Sequence, residues 1–202
     1  MVGIIDYGVG NLFSLNCSFE TIGEKTIVSD DPKVLRNASH IILPGVGAFA
    51  DAAMKLRFSG LDAFVKEQVK EGKPVMGICL GMQMLFERSF EYGEHPGLSI
   101  LSGSVVPMEG KLDQTLKIPH MGWNQLHFKK TSRLFSHISD GDYVYFVHSY
   151  FAENCEDSLS AVTNYGIEMT AAVEKDNVFG CQFHPEKSGN IGLNILRAFC
   201  EV

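Results

Sequence analysis

Apolar positions along the first half of the chain alternate between two periods. Val2–Asp6 is a short apolar run that ends at the turn Tyr7-Gly8-Val9-Gly10-Asn11, the pattern of a strand buried on both faces of a parallel sheet. Leu12, Leu15, Phe19 and Ile22 then fall on one stripe and predict a helix stopped by Gly23. Lys25–Val28 predicts a second strand and His40–Leu43 a third, broken by Pro44-Gly45-Val46-Gly47. Leu61, Phe64, Val65 and Val69 mark an amphipathic helix that ends at Gly72-Lys73-Pro74. Val75–Ile78 is a fourth strand, followed at once by Cys79 and a helical stretch through Glu87.

From Leu98 to Phe183 the helical stripes fade. Short β-rich runs replace them, at Val105–Met108, Gln125–Phe128, Tyr143–Tyr150, Leu159–Thr163, Thr170–Val173 and Val178–Phe183. A last helix, Ile191 to Phe199, carries Ile191, Ile195, Leu196 and Phe199 on one face. The expected fold is a three-layer, flavodoxin-like α/β domain, with a mostly parallel central sheet and antiparallel strands added in the C-terminal half. No repeat or linker divides residues 1–202, so a single domain is expected.

Composition narrows the function classes. Hydrophobic residues make up 45% and charged residues 20%, which excludes intrinsic disorder. The net charge of −7, with no block of like charge, argues against a surface that tracks nucleic-acid phosphates. No apolar run approaches the ~18 residues of a membrane span. The opening Met1–Asp6 lacks a basic segment and meets an acid too early for a signal peptide. Five widely spaced cysteines without a CxxC suit a reducing compartment, so a cytoplasmic protein is expected.

The strongest local signal is Gly77-Ile78-Cys79-Leu80-Gly81, which stands directly after an apolar strand and directly before a helix. That is the context of a nucleophile elbow, in which small residues allow a sharp turn that thrusts the central side chain outward. The backbone N–H of Leu80 would face an oxyanion formed there, and the helix N-terminus favours a thiolate. The competing reading is a buried cysteine between two helix-stop glycines. A nucleophilic cysteine needs a base and the base an orienting acid. His184 and Glu186, in Cys181-Gln182-Phe183-His184-Pro185-Glu186, can be held together at a strand's end; alone they also read as a loop histidine and a solvated acid. A metal site from Cys181, His184 and Glu186 lacks paired spacing and a fourth ligand. Pro44-Gly45-Val46-Gly47 can turn its N–H groups toward an anion, or form no more than a tight connection. Gly8-x-Gly10 is followed by Phe13 where a dinucleotide fingerprint wants glycine, and no cofactor is called for.

Together these motifs resemble the class I glutamine amidotransferases, which pair a G-x-C-x-G-x-Q elbow with a late His-Pro-Glu; Gly77–Gln83 and His184–Glu186 match both. Asp6–Asn11, Leu43–Phe49, Pro119-His120-Met121-Gly122-Trp123-Asn124 and Tyr145–Tyr150 narrow the resemblance to the glutaminases that serve imidazole glycerol phosphate synthesis. The resemblance runs from residue 2 to the C-terminus.

It implies that Cys79 attacks the carboxamide of L-glutamine, His184 moves the proton and Glu186 orients the imidazole. Val46, Gly47 and Leu80 would hold the oxyanion, and Gly45, Gln83, Glu91, Ser149 and Tyr150 would bind the substrate. Glu91 reads equally as a solvated loop acid. The implied partner is a (βα)₈-barrel cyclase that receives the ammonia in a heterodimer, docked on Pro119, His120, Met121, Trp123, Asn124, Tyr145 and Lys187. Trp123 reads otherwise as core packing, and His120 as a surface or core histidine. Glycines around Val46 further suggest a two-state peptide that turns either its N–H or its C=O to the site, with the free subunit resting carbonyl-inward. Other class I glutaminases, a cysteine peptidase or hydrolase, and a non-enzymatic flavodoxin-like module are the competing readings.

Overall fold

The computed structural model describes residues 1–202. Its strands are β1 (Val2–Ile5), β2 (Thr26–Ser29), β3 (His40–Leu43), β4 (Val75–Ile78), β5 (Arg88–Ser89), β6 (His95–Pro96), β7 (Ser104–Pro107), β8 (His120–Gln125), β9 (His127–Phe128), β10 (Tyr143–His148), β11 (Tyr150–Glu153), β12 (Leu159–Tyr165), β13 (Ile167–Lys175) and β14 (Val178–Cys181). The helices are α1 (Leu12–Thr21), α2 (Pro32–Leu35), α3 (Phe49–Phe58), α4 (Leu61–Lys70), α5 (Leu80–Met84) and α6 (Gly189–Cys200). An eight-stranded sheet runs β2-β1-β3-β4-β14-β13-β12-β9; the first five strands are parallel and the last three antiparallel. A four-stranded sheet, β11-β7-β5-β6, and a two-stranded ribbon, β10-β8, complete it. No helix is long and apolar enough to cross a membrane.

The parallel strands form because both of their faces are covered. Alternate residues feed two separate cores. Ile5, Ile41, Leu43, Val75 and Val178 pack with Phe49 and Leu56 of α3 and with Leu61, Phe64 and Val65 of α4. Val2, Ile4, Ile42, Met76 and Phe179 pack with Leu15 and Phe19 of α1 and with Ile195, Leu196 and Phe199 of α6. This leaves one edge where the carboxyl ends of β1, β3, β4 and β14 open together. Tyr7, Pro44–Gly47, Cys79 and Gln182–Glu186 all follow those ends, the usual place for a site in an open α/β sheet.

Four features depart from the sequence pattern. Helix α3 was not signalled, because two of its four buried residues are alanines while Met54 and Phe58 face solvent. Helix α2 is a single turn, begun by Asp31 accepting the Lys33 N–H at 2.8 Å with Pro32 at its first position. The helical stretch expected through Glu87 stops at Met84, because the carbonyls of residues 84–87 accept N–H groups from the Gly97–Leu101 segment instead. The expected strands at Gln125–Phe128 and Tyr143–Tyr150 divide at Leu126 and Ser149, and only β9, β12 and β13 of the added strands join the parallel sheet.

Candidate active site

Cys79 follows β4 directly, with φ 53° and ψ −112°, a backbone conformation that side-chain-bearing residues rarely adopt. Such a residue costs about 1–3 kcal/mol and persists only where its surroundings enforce it. Here the enforcement is steric. A Cβ on Gly81 would lie 1.9 Å from the Leu43 carbonyl oxygen, and one on Gly77 would lie 2.6 Å from the Gly81 oxygen. Only glycines let β3, β4 and the start of α5 approach this closely. The Cys79 N–H donates to the Cys181 carbonyl at 2.8 Å, and its own carbonyl accepts the Gln83 N–H at 3.1 Å. Leu80, the first residue of α5, has no intrahelical acceptor for its N–H.

His184 and Glu186 follow β14, the neighbour of β4. The His184 Nδ1 lies 2.9 Å from Glu186 Oε1, with the two side chains only 3% and 1% exposed. A carboxylate oxygen accepts, so Nδ1 carries the proton and Nε2 is left as the basic nitrogen. No protein group satisfies Nε2 by hydrogen-bond geometry. Burial works against the charged imidazolium, yet the hydrogen bond and negative charge of the Cys79 sulfur, with those of the Glu186 carboxylate, outweigh it and push the His184 pKa up to about 10. The backbone is fixed as firmly as the ring. The His184 N–H donates to the Tyr145 carbonyl at 2.9 Å, and Ser188 Oγ donates to the His184 carbonyl at 2.7 Å while accepting the Tyr145 N–H at 2.9 Å.

A cavity of about 480 Å³ opens in front of Cys79 and His184. Val46, Gly47, Leu80, Gln83, Glu91, Ser149 and Tyr150 line it, as does Pro119. The N–H groups of Val46 and Gly47 have no acceptor in the protein, and Gly47 sits at φ +91° in open space. Ser149 gives its carbonyl to the Met108 N–H at 3.0 Å and keeps its own N–H free. Gln83 spends its amide hydrogens on the Tyr150 carbonyl and on Gln182 Oε1, both at 3.0 Å, so its own Oε1 is the group left for a ligand. One Glu91 oxygen accepts the Phe49 N–H, which makes this acid a cap for α3 as well as part of the cavity wall. The cavity wall thus carries unpaired backbone donors at Val46, Gly47 and Ser149 and acceptors at Gln83 and Glu91, the polarity an amino acid requires.

Other expected positions lie elsewhere. Gly45 does not line the cavity; it is packed behind it, where a Cβ would meet the Gly81 nitrogen at 2.6 Å. His120 is 3% exposed, stacked between Phe146 and Tyr165 and bonded to His148 at 3.0 Å, so its side chain is buried within the chain rather than offered at its surface. Asn124 is half-buried, its amide directed to the Asn164 carbonyl. Trp123 is 54% exposed and Met121 62%, which excludes core packing for both. Trp123 meets Tyr145 edge-to-face at 6.1 Å, and the Lys187 Nζ stands 5.9 Å from the centre of the same Tyr145 ring.

Two residues at the site escaped the sequence reading. Gln182, fully buried, donates from Nε2 toward the Cys79 Sγ at 3.8 Å and accepts from Gln83. Its signal was a polar residue inside the apolar run Val178–Phe183. His148 also lines the cavity; its Nδ1 donates to the Tyr150 carbonyl at 2.9 Å, and burial holds its pKa down to about 3.

Residues 4–201 match the family described as glutamine amidotransferase class-I. Over its whole length the chain is 51% identical to the imidazole glycerol phosphate synthase subunit HisH of Caldanaerobacter subterraneus subsp. tengcongensis, covering 98% of that protein. It is 46% identical to the protein of the same description from Bacillus subtilis, again over all of this chain and 96% of the relative. Among solved structures it superposes on a glutamine amidotransferase with a TM-score of 0.77 at 19% identity, covering 99% of this chain and 97% of that one. PurLQS from Thermotoga maritima gives a TM-score of 0.74 at 19% identity, with the same coverage.

Proposed function

The chain belongs to the class I glutamine amidotransferases and hydrolyses glutamine as a subunit of imidazole glycerol phosphate synthase in histidine biosynthesis, and we propose that Cys79, His184 and Glu186 carry out that hydrolysis. The observation that carries the assignment is the strained Cys79 elbow facing a buried His184–Glu186 pair whose basic nitrogen is unpaired.

His184 holds the thiol proton as an imidazolium beside the Cys79 thiolate, and the sulfur adds to the carboxamide carbon of glutamine. The carbonyl π-bond breaks, leaving negative charge on oxygen. That charge is met by the N–H of Leu80 and by one from Val46–Gly47, donors whose hydrogen bonds strengthen as the charge develops. His184 then gives its proton to the departing nitrogen, the C–N bond breaks, and ammonia leaves behind a glutamyl thioester. Water attacks the thioester with His184 as base, the C–S bond breaks, and glutamate departs. Glu186 holds the imidazole tautomer throughout. Gln83 Oε1 and Glu91 receive the substrate ammonium, and the free Ser149 N–H receives its carboxylate.

Ammonia is of use only to a second catalyst. We assign that role to a (βα)₈-barrel cyclase seated on the face of Met121, Trp123, Tyr145 and Lys187. The test is Cys79→Ala assembled with the cyclase. It should lose glutamine-dependent turnover by about 10⁴-fold or more while keeping activity with supplied ammonium. Retained glutamine-dependent turnover would overturn the assignment.

A further inference from the structure

The segment that carries the Val46 and Gly47 donors is held at its two ends and free at Val46 and Gly47 between them. At its start the buried Tyr7 hydroxyl donates to the Pro44 carbonyl at 2.7 Å. Burial and the nearby Cys79 push the phenol pKa far above its ordinary range, so Tyr7 remains a donor at every working pH. At its end the first N–H of α3, that of Phe49, donates to Glu91, an acid 42 residues away on the loop between β5 and β6. Ala48, the N-cap residue, has no side chain able to do this. In between, Val46 is 41% exposed and nothing lies within 4 Å of a Cβ placed on Gly47.

We propose that Tyr7 and Glu91 are positioning residues that clamp the two ends of the oxyanion segment and so confine its turning to the Val46–Gly47 peptide. The proposal rests on the reading of that peptide as an oxyanion donor. Such a donor works only while its N–H is held within hydrogen-bond range of the developing charge, so looseness at either end lowers catalysis without removing any reacting group. Glu91 adds a coupling. Its carboxylate holds α3 with one oxygen and stands in the cavity wall, so a substrate ammonium that meets Glu91 bears directly on the anchor of the oxyanion segment.

Alkylation of Cys79 by iodoacetamide separates the two kinds of defect. It forms a C–S bond and releases iodide with no oxyanion, so it reads the thiolate alone. In the complex with the cyclase, Tyr7→Phe should lower kcat for glutamine hydrolysis about tenfold, with KM and the alkylation rate within about twofold of wild type. Glu91→Gln keeps an acceptor for the Phe49 N–H and loses the charge, so KM should rise while kcat stays within about threefold. Glu91→Ala removes both, and kcat should fall about tenfold below that of Glu91→Gln. An unchanged kcat in Tyr7→Phe, a parallel fall of kcat and alkylation, or a common kcat for the two Glu91 variants overturns the clamp alone. Alkylated wild type that still hydrolyses glutamine overturns the Cys79 reading and the clamp with it.

Discussion

Three glycines, Gly45, Gly77 and Gly81, let a cysteine be held where cysteine does not settle unaided. The clash that a Cβ on Gly81 would make with the Leu43 carbonyl involves backbone on both sides, so no side chain can give way. Gly81→Ala should therefore cost about 3 kcal/mol of stability, read from urea unfolding, and should lower glutaminase activity in the fraction that remains folded. Cys79, His184 and Glu186 were legible from residue type and position, since a nucleophile between glycines and a histidine–acid pair at strand ends are chemically distinctive. Gln182 and Tyr7 were not. Their contributions depend on contacts across 103 and 37 residues of chain; a polar residue inside an apolar run was the one trace Gln182 left, and Tyr7 left none.

At the scale of elements, the four central parallel strands announced themselves because every position in them is buried and none but His40 carries a polar side chain. Helix α3 hid behind its alanines, and the early end of α5 is set by N–H donors from the Gly97–Leu101 segment, a tertiary effect invisible to periodicity. The β8–β10 ribbon places His120 opposite His148 in register. Burial lowers both, to about 4 and about 3, so the folded chain keeps them neutral where the unfolded chain would take up protons. Stability from this source is present above the ordinary value of 6.5 and is lost as the pH falls toward 3. His184 has the opposite sign. Its pKa is raised from 6.5 to about 10, so its contribution is complete below 6.5 and is lost as the pH climbs through 10. The melting temperature should thus peak near neutral pH and fall on both sides. His184→Asn should flatten the alkaline limb and spare the acid one; an alkaline limb unchanged in that variant would contradict the electrostatic account of the dyad.

For the whole molecule, the open edge of the parallel sheet gathers the site, and the β8–β10 ribbon beside it carries the exposed Met121, Trp123 and Tyr143. The His184 backbone is bonded to Tyr145 on that ribbon, so the proposed docking face and the base are tied by backbone hydrogen bonds. Aromatic anchors dominate interfaces of this kind, and Trp123→Ala should weaken cyclase binding about 30-fold by calorimetric titration. Because Trp123 is 54% exposed, the melting temperature of the free chain should move by no more than about 2 °C. A large loss of stability with unchanged affinity would remove Trp123 from the docking face. The central claim is that the amide bond of glutamine is broken through a covalent glutamyl thioester on Cys79. Acid-quenching the complex during steady turnover with glutamine, followed by mass analysis of its peptides, tests this most directly. The account predicts one glutamyl adduct, on the peptide that holds Cys79, absent from Cys79→Ala. An adduct on another residue, or full turnover in Cys79→Ala, would contradict it.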